Sequence, residues 1–109
     1  MIKYDLDARP NAYGFGRDYT LTLIDTTTGR MRPFFLGQDA KVFSRMLGMD
    51  MRDAVDYYTK KAKSRDFSKV KKLIAKDIIS TITDGDLSQA KLRSLMQNAQ
   101  DWDLHVGGG

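Results

Sequence analysis

The hydrophobic period of this 109-residue chain changes once, near Gln38, and that change limits what it can fold into. Before Gln38, apolar residues recur at every second position; after it, they recur at three and four. A period of two suits a strand with one buried face, and a period near 3.6 suits a helix with one buried stripe. The expected fold is therefore α+β. A small two- or three-stranded antiparallel sheet at the N-terminus should pack against three or four C-terminal helices. So small a sheet is not stable alone, so the helices must cover one of its faces.

Ile2, Tyr4 and Leu6 alternate with Lys3 and Asp5, predicting a short half-buried strand over Ile2–Leu6. Arg9–Gly16 holds Pro10, Asn11, Gly14 and Gly16 and reads as a loop. Tyr19–Ile24 (YTLTLI) is the strongest strand signal, with Tyr19, Leu21 and Leu23 on one face. Asp25–Gly29 (DTTTG) predicts a hairpin loop with Gly29 at positive φ. The return strand, Arg30–Leu36, contains Pro33, which cannot donate to a ladder and so belongs at a sheet edge or a bulge.

Beyond Gln38, Val42, Phe43, Met46 and Leu47 form one apolar stripe that Gly48 ends. Asp50 should cap a second helix, with Asp53 reaching back in place of the usual Glu. That helix carries Met51, Ala54, Val55, Tyr58 and Ala62 inward. Ser64–Asp66 reads as a break, with either residue as the next cap. The third helix, Phe67–Thr83, puts Phe67, Val70, Ile74, Ile78 and Ile82 on one arc. A turn at Thr83–Asp86 leads to a fourth helix from Leu87 to Ala99, with Trp102 just beyond. The core should contain Phe34, Leu36, Phe43, Leu47, Val55, Val70, Ile74, Ile78, Leu92 and Leu95. Residues 1–106 read as one domain and Gly107–Gly109 as a flexible tail.

The residue types limit the chemistry. There is no cysteine, which removes disulfides, zinc–thiolate sites and cysteine nucleophiles. His105 is the only histidine, and all fourteen acids are Asp, so a general base would have to be Asp, Lys or Tyr. Asp prefers turns and N-caps, so the acids should gather at element starts and loops. TDGDLS (Thr83–Ser88) has too few oxygen ligands for a calcium loop and reads as a helix-capping turn. No catalytic residue, cofactor or metal is expected. No apolar run approaches the ~20 residues needed to span a bilayer, and MIKYDLDARP is not a signal peptide. The default expectation is a cytoplasmic protein without a membrane partner.

The strongest functional signal is charge. Eight of the eighteen basic residues lie between Lys60 and Lys76, where the single acid is Asp66. That segment carries +7 against +4 for the whole chain, leaving −3 for the remainder. Arg65, Lys69, Lys72 and Lys76 share an arc ~60° wide, opposite the apolar stripe of the third helix. Lys60, Lys61 and Lys63 extend the charge upstream. Such a stripe can follow a phosphate backbone and release its counterions, and Tyr57 and Tyr58 beside it could stack on unpaired bases; the structural alternative is a solvated helix face that keeps the protein soluble. The expected function is a non-catalytic binding protein engaging an anionic partner, nucleic acid first, an acidic protein surface otherwise.

A second reading is a regulator or inhibitor acting through protein contact or by trapping a small phosphorylated ligand. In size, single-domain build and lack of catalytic groups, the chain is similar to many small phage-encoded accessory proteins, inhibitors of host defence among them. The loop YGFGR (Tyr13–Arg17) offers backbone amides between glycines and the Arg17 guanidinium; Arg30 and Arg32 are further candidates for such a pocket. A plain connecting loop, its aromatics tucked against the sheet, is the structural alternative. Met46, Met49 and Met51 cluster at the first helix junction. Core filling is the commoner use of methionine; Met49 or Met51 exposed with Phe34 or Phe35 would instead mark a homo-oligomer contact.

Overall fold

The computed structural model describes residues 1–13 and 16–97. Its order is β1 (Ile2–Pro10), β2 (Arg17–Asp25), β3 (Met31–Gln38), α1 (Asp39–Met46), α2 (Met51–Ala62), α3 (Phe67–Ile82) and α4 (Gln89–Gln97). The three strands form one antiparallel meander in the order β1-β2-β3, followed by the four helices. This is the α+β arrangement that the change of period predicts.

Register explains the tolerated proline. Asp25 N–H donates to Arg30 C=O, so odd-numbered β2 residues exchange bonds with β3 and even-numbered ones with β1. Pro33 lies opposite Thr22, an even position, and its missing N–H faces out from an edge strand. A bulge follows in the same strand. Tyr19 pairs with Gly37 and Thr20 with Phe35, leaving Leu36 as the extra residue and Gly37 at φ 93°. In the hairpin loop, the Asp25 carboxylate accepts from Thr27 N–H at 3.0 Å and Gly29 turns at φ 76°.

β1 runs further than the alternation predicts. Arg9 and Pro10 pair with Asp18 and Arg17 and belong to the strand instead of a loop. The outer edge of β1 is closed at its start by Gln89, whose side-chain amide brackets Ile2. Ile2 N–H donates to Gln89 Oε1 at 2.5 Å, and Gln89 Nε2 donates to Ile2 C=O at 3.0 Å.

One sheet face, bearing Ile2, Leu6, Tyr19, Leu21, Leu23 and Phe34, is buried under the helices. The other carries Thr20 and Thr22 between charged β1 positions and Met31, Pro33 and Phe35 of β3. Asp50 caps α2 by accepting from Asp53 N–H, and Asp66 caps α3 by accepting from Ser68 N–H. Among the described residues, no bond returns from the Asp53 carboxylate to Asp50.

The expected core is present with three changes. Val55 is 54% exposed, because α2 buries only the narrow line through Ala54 and Tyr58. Leu47 and Leu95 are half-buried at the rim. Against these, α3 buries Ala75 and Ile79 beyond its expected arc. α4 begins two residues later than Leu87; Ala99, Trp102, His105 and Gly107–Gly109 lie outside the described residues. No described helix is long and apolar enough to cross a membrane.

Candidate functional site

The basic segment occupies the end of α2, the turn after it, and the outer face of α3. Lys60 and Lys61 lie in the last turn of α2, where the helix dipole favours cations. Lys63 ends that helix in the left-handed conformation, at φ 55°, a position where glycine is normally preferred. Ser64 Oγ accepts from Asp66 N–H, turning the chain into the α3 cap and leaving Arg65 at the corner. Lys69, Lys72 and Lys76 then recur at three and four along α3, opposite Ile74 and Ile78.

All seven predicted cations (Lys60, Lys61, Lys63, Arg65, Lys69, Lys72 and Lys76) are exposed. They are not equally free. Lys60 pairs with Asp56 at 2.9 Å, and Lys61 Nζ donates to Tyr57 Oη at 3.4 Å and sits 5.5 Å from its ring centroid. Asp53 and Asp56 share that face, so the α2 end is charge-mixed. From Lys63 onward no ion pair forms among the described residues. Asp66, the only acid there, is engaged as a cap. Its carboxyl is held below the usual range by the Ser68 hydrogen bonds, with a smaller contribution from Lys69. The uncompensated face is thus Lys63, Arg65, Lys69, Lys72 and Lys76.

Lys71 joins this face unpredicted. On a helical wheel it falls toward the apolar arc, yet it is half-buried, which suits a stem lying along apolar surface with the ammonium reaching out. With Lys72 and Lys76 it lines a groove of about 300 Å³ against Tyr4, Asp5 and Leu6 of β1. Ile2 directs its backbone polar groups away from β2, so by strand alternation Tyr4 and Leu6 present theirs at the same free edge.

The two tyrosines separate. Tyr58 is fully buried, its hydroxyl donating to Asp77 Oδ2 at 2.7 Å, so it cannot stack on a base. Tyr57 is 45% exposed and packs edge-on against Tyr58 at 4.9 Å between centroids.

The three loop arginines do not converge. Arg17 opens β2 whereas Arg30 and Arg32 follow its far end, roughly 20 Å or more of strand away. Arg30 is exposed in the hairpin turn. Arg32 donates from Nη1 to Met96 C=O at 2.9 Å and holds the end of α4. Arg17 instead lies over the Phe67 ring, 4.0 Å from its centroid. Its backbone N–H donates to Asp39 Oδ2 at 3.3 Å. Gly16 turns there at φ 69°, and a Cβ at that position would lie 2.6 Å from Asp39 Oδ1. Tyr13 is 88% exposed and not tucked against the sheet, while Gly14 and Phe15 lie outside the described residues.

Arg17 and Arg65, both exposed, are among the residues lining a second cleft, of about 220 Å³, between the start of β2 and the α2–α3 pair. Met46, Met49 and Met51 are half-buried against the core, the core-filling use, and exposed Phe35 is on the opposite sheet face. No group of metal-ligating side chains occurs among the described residues.

The chain matches no family model, and no curated protein or solved structure is similar to it at a significant level. Its function has to be argued from the site.

Proposed function

We propose that the protein is a non-catalytic binding module for a polyanion, nucleic acid first, which it engages through the outer face of α3 and the α2–α3 corner. The observation that carries this reading is the exposed run Lys63, Arg65, Lys69, Lys72 and Lys76, which has no compensating ion pair among the described residues. An ordinary solvated helix face interleaves acids, as α2 does at Asp53 and Asp56. This face does not, so its field adds up over several turns and favours a ligand with regularly spaced negative charge. Lysines dominate it. Lysine acts as a point charge on phosphate and arginine as a bidentate reader of bases, so binding should tolerate different sequences.

The test is a salt titration. Lys69→Gln, Lys72→Gln and Lys76→Gln together should weaken binding to nucleic acid. They should also reduce the slope of log affinity against log salt by roughly 0.7 to 0.9 for each lost phosphate contact. A slope unchanged in the triple variant removes α3 from the interface.

A second reading rests on a different surface. The bare sheet face exposes Phe35 (78%) and Met31 (61%) beside Pro33, apolar area that suits contact with a regulated protein. In nuclease-treated lysate, a partner held by this face would be retained by the wild-type protein and lost with Phe35→Asp. Loss on nuclease treatment alone returns the case to the first reading.

A further inference from the structure

We infer that the outer edge of β1, with the lysines of α3 beside it, is a docking site for an extended acidic segment of another protein, which joins the sheet as a fourth, antiparallel strand. The inference stands apart from the polyanion reading, because it rests first on backbone groups of β1.

The edge itself is the first support. β1 ends the sheet on one side. Its even-numbered residues point their N–H and C=O groups away from β2, as Ile2 does in bonding to Gln89. Tyr4, Leu6 and Ala8 follow in the same phase, and no described residue bonds to their outward groups. Pro10 has no N–H and closes the run. Such a row is a template for a further strand. The one occupied position shows the chemistry. The Gln89 side-chain amide accepts from Ile2 N–H and donates to Ile2 C=O, the donor and acceptor pattern that a partner strand presents. The open stretch from Tyr4 to Ala8 takes about five extended residues.

What lies beside the edge sets the charge of the occupant. Lys71, Lys72 and Lys76 line a groove of about 300 Å³ against Tyr4, Asp5 and Leu6. Among the described residues none of these lysines forms an ion pair, with Asp5 or with any other acid. An antiparallel guest residue opposite Tyr4, Leu6 or Ala8 exchanges bonds with it and points its side chain to the same face, the one the helices cover. Acids at those alternate guest positions meet the three ammonium groups, whereas basic residues there are repelled.

A second copy of this chain is a poor occupant. Two β1 edges paired antiparallel through Tyr4, Leu6 and Ala8 centre on Leu6. That register sets Asp5 against Asp7 and Lys3 against Arg9, each twice. Like charges directly opposite one another are destabilising.

The test uses the full chain and short blocked peptides, followed by fluorescence anisotropy: one alternating Glu with Val, one alternating Lys with Val, and two forms of the first N-methylated at every Glu or at every Val. The Glu–Val peptide should bind at least about 10-fold tighter than the Lys–Val peptide at low salt. Methylation at Glu removes the ladder donors and should weaken binding about 10-fold or more, while methylation at Val faces solvent and should do much less. Ala8→Pro removes one outward donor without touching the β1–β2 ladder, as Pro33 does on the opposite edge strand, and should weaken the Glu–Val peptide severalfold. Hydrogen exchange in the wild-type protein gives a reading that does not depend on this variant folding: the Tyr4, Leu6 and Ala8 amides should slow when the Glu–Val peptide is added. Binding without that protection overturns the inference, as do equal effects of the two methylation patterns or equal binding of the Glu–Val and Lys–Val peptides. A wild-type dimer that Ala8→Pro dissociates overturns it in favour of a second copy. Binding of no peptide overturns it and leaves the polyanion reading standing.

Discussion

Two buried tyrosines 39 positions apart provide a sharp test, because their hydroxyls are placed so differently. Tyr58 donates to Asp77 Oδ2 at 2.7 Å, a short bond to a charged acceptor. Bonds of that kind are worth about 1.5–3 kcal/mol. Asp77 is only half-buried and can recover water once the phenol is gone, which places Tyr58→Phe at about 2 kcal/mol of lost stability. Among the described residues Tyr19 has no such partner, so Tyr19→Phe should fall between no change and a gain of about 1 kcal/mol. For a domain near 100 residues, each kcal/mol moves Tm by roughly 4–8 °C. Thermal melts followed by circular dichroism should therefore show Tyr58→Phe melting about 8–16 °C lower, with Tyr19→Phe unchanged or slightly higher. The same pair has an alkaline signature. Burial, then Asp39, pushes Tyr19 up to about 12 against the opposing effect of Arg17, and burial followed by the Asp77 bond raises Tyr58. Unfolded tyrosines release their protons near pH 10 while the folded ones retain theirs. The stabilisation is complete below pH 10 and is lost as pH rises through the folded values, so Tm should fall above pH 10 and fall less steeply in either variant. Equal losses of stability in the two variants would refute the assignment of an unpartnered hydroxyl to Tyr19.

Lys63 gives another measurable conflict. It holds the left-handed position at the end of α2, where a side chain costs about 1 kcal/mol relative to glycine. Lys63→Gly should raise the urea midpoint by an amount equivalent to about 0.5–1 kcal/mol while lowering polyanion affinity and reducing the salt slope by about one contact. A destabilised variant, or a variant with wild-type salt dependence, would show that the charge is not kept for binding.

Much of the fold was legible because it is decided locally. Period two and period 3.6 locate the strands and helices, and the all-Asp acid content carries further information. Asp50 and Asp66 are N-caps, Asp39 opens α1, and Asp25, Asp84 and Asp86 sit in turns, where a short carboxylate can reach neighbouring amides. What was not legible depends on contacts across the chain. β1 continues through Pro10 because Arg17 and Asp18 lie opposite, which no local pattern in residues 9–16 reveals. Val55 and Tyr58 look alike as inward positions of α2; only the placement of α3 and α1 decides that one is covered and the other is not. Adjacent residues on a helix point about 100° apart, so Tyr57 and Tyr58 had to part company, and the apolar stripe through Ala54 already favoured burial of Tyr58. That Arg17 and Arg65, 48 positions apart, line one cleft is purely tertiary, and the length of β2 separates Arg17 from the other two arginine candidates, Arg30 and Arg32.

The remaining question is why one corner departs so often from what stability alone would choose. Glycine would suit position 63 better, acids interleaved along α3 would relieve its repulsion, and phenylalanine at position 19 would remove an unpaired hydroxyl. Elsewhere the same chain makes the stabilising choice: Gln89 brackets the β1 edge, Arg32 holds the end of α4, and Asp50 caps α2. Local choices and fold agree nearly everywhere in a foldable sequence, and the exceptions tend to gather at functional sites. Here the exceptions lie at the end of α2, on the face of α3 and in the cleft that adjoins them through Arg65. A scattered set would need separate explanations. A contiguous set would be accounted for together by the proposed polyanion, which would supply the missing counter-charge along α3. A bound polyanion should then raise Tm, and raise it less in the variant carrying Lys69→Gln, Lys72→Gln and Lys76→Gln.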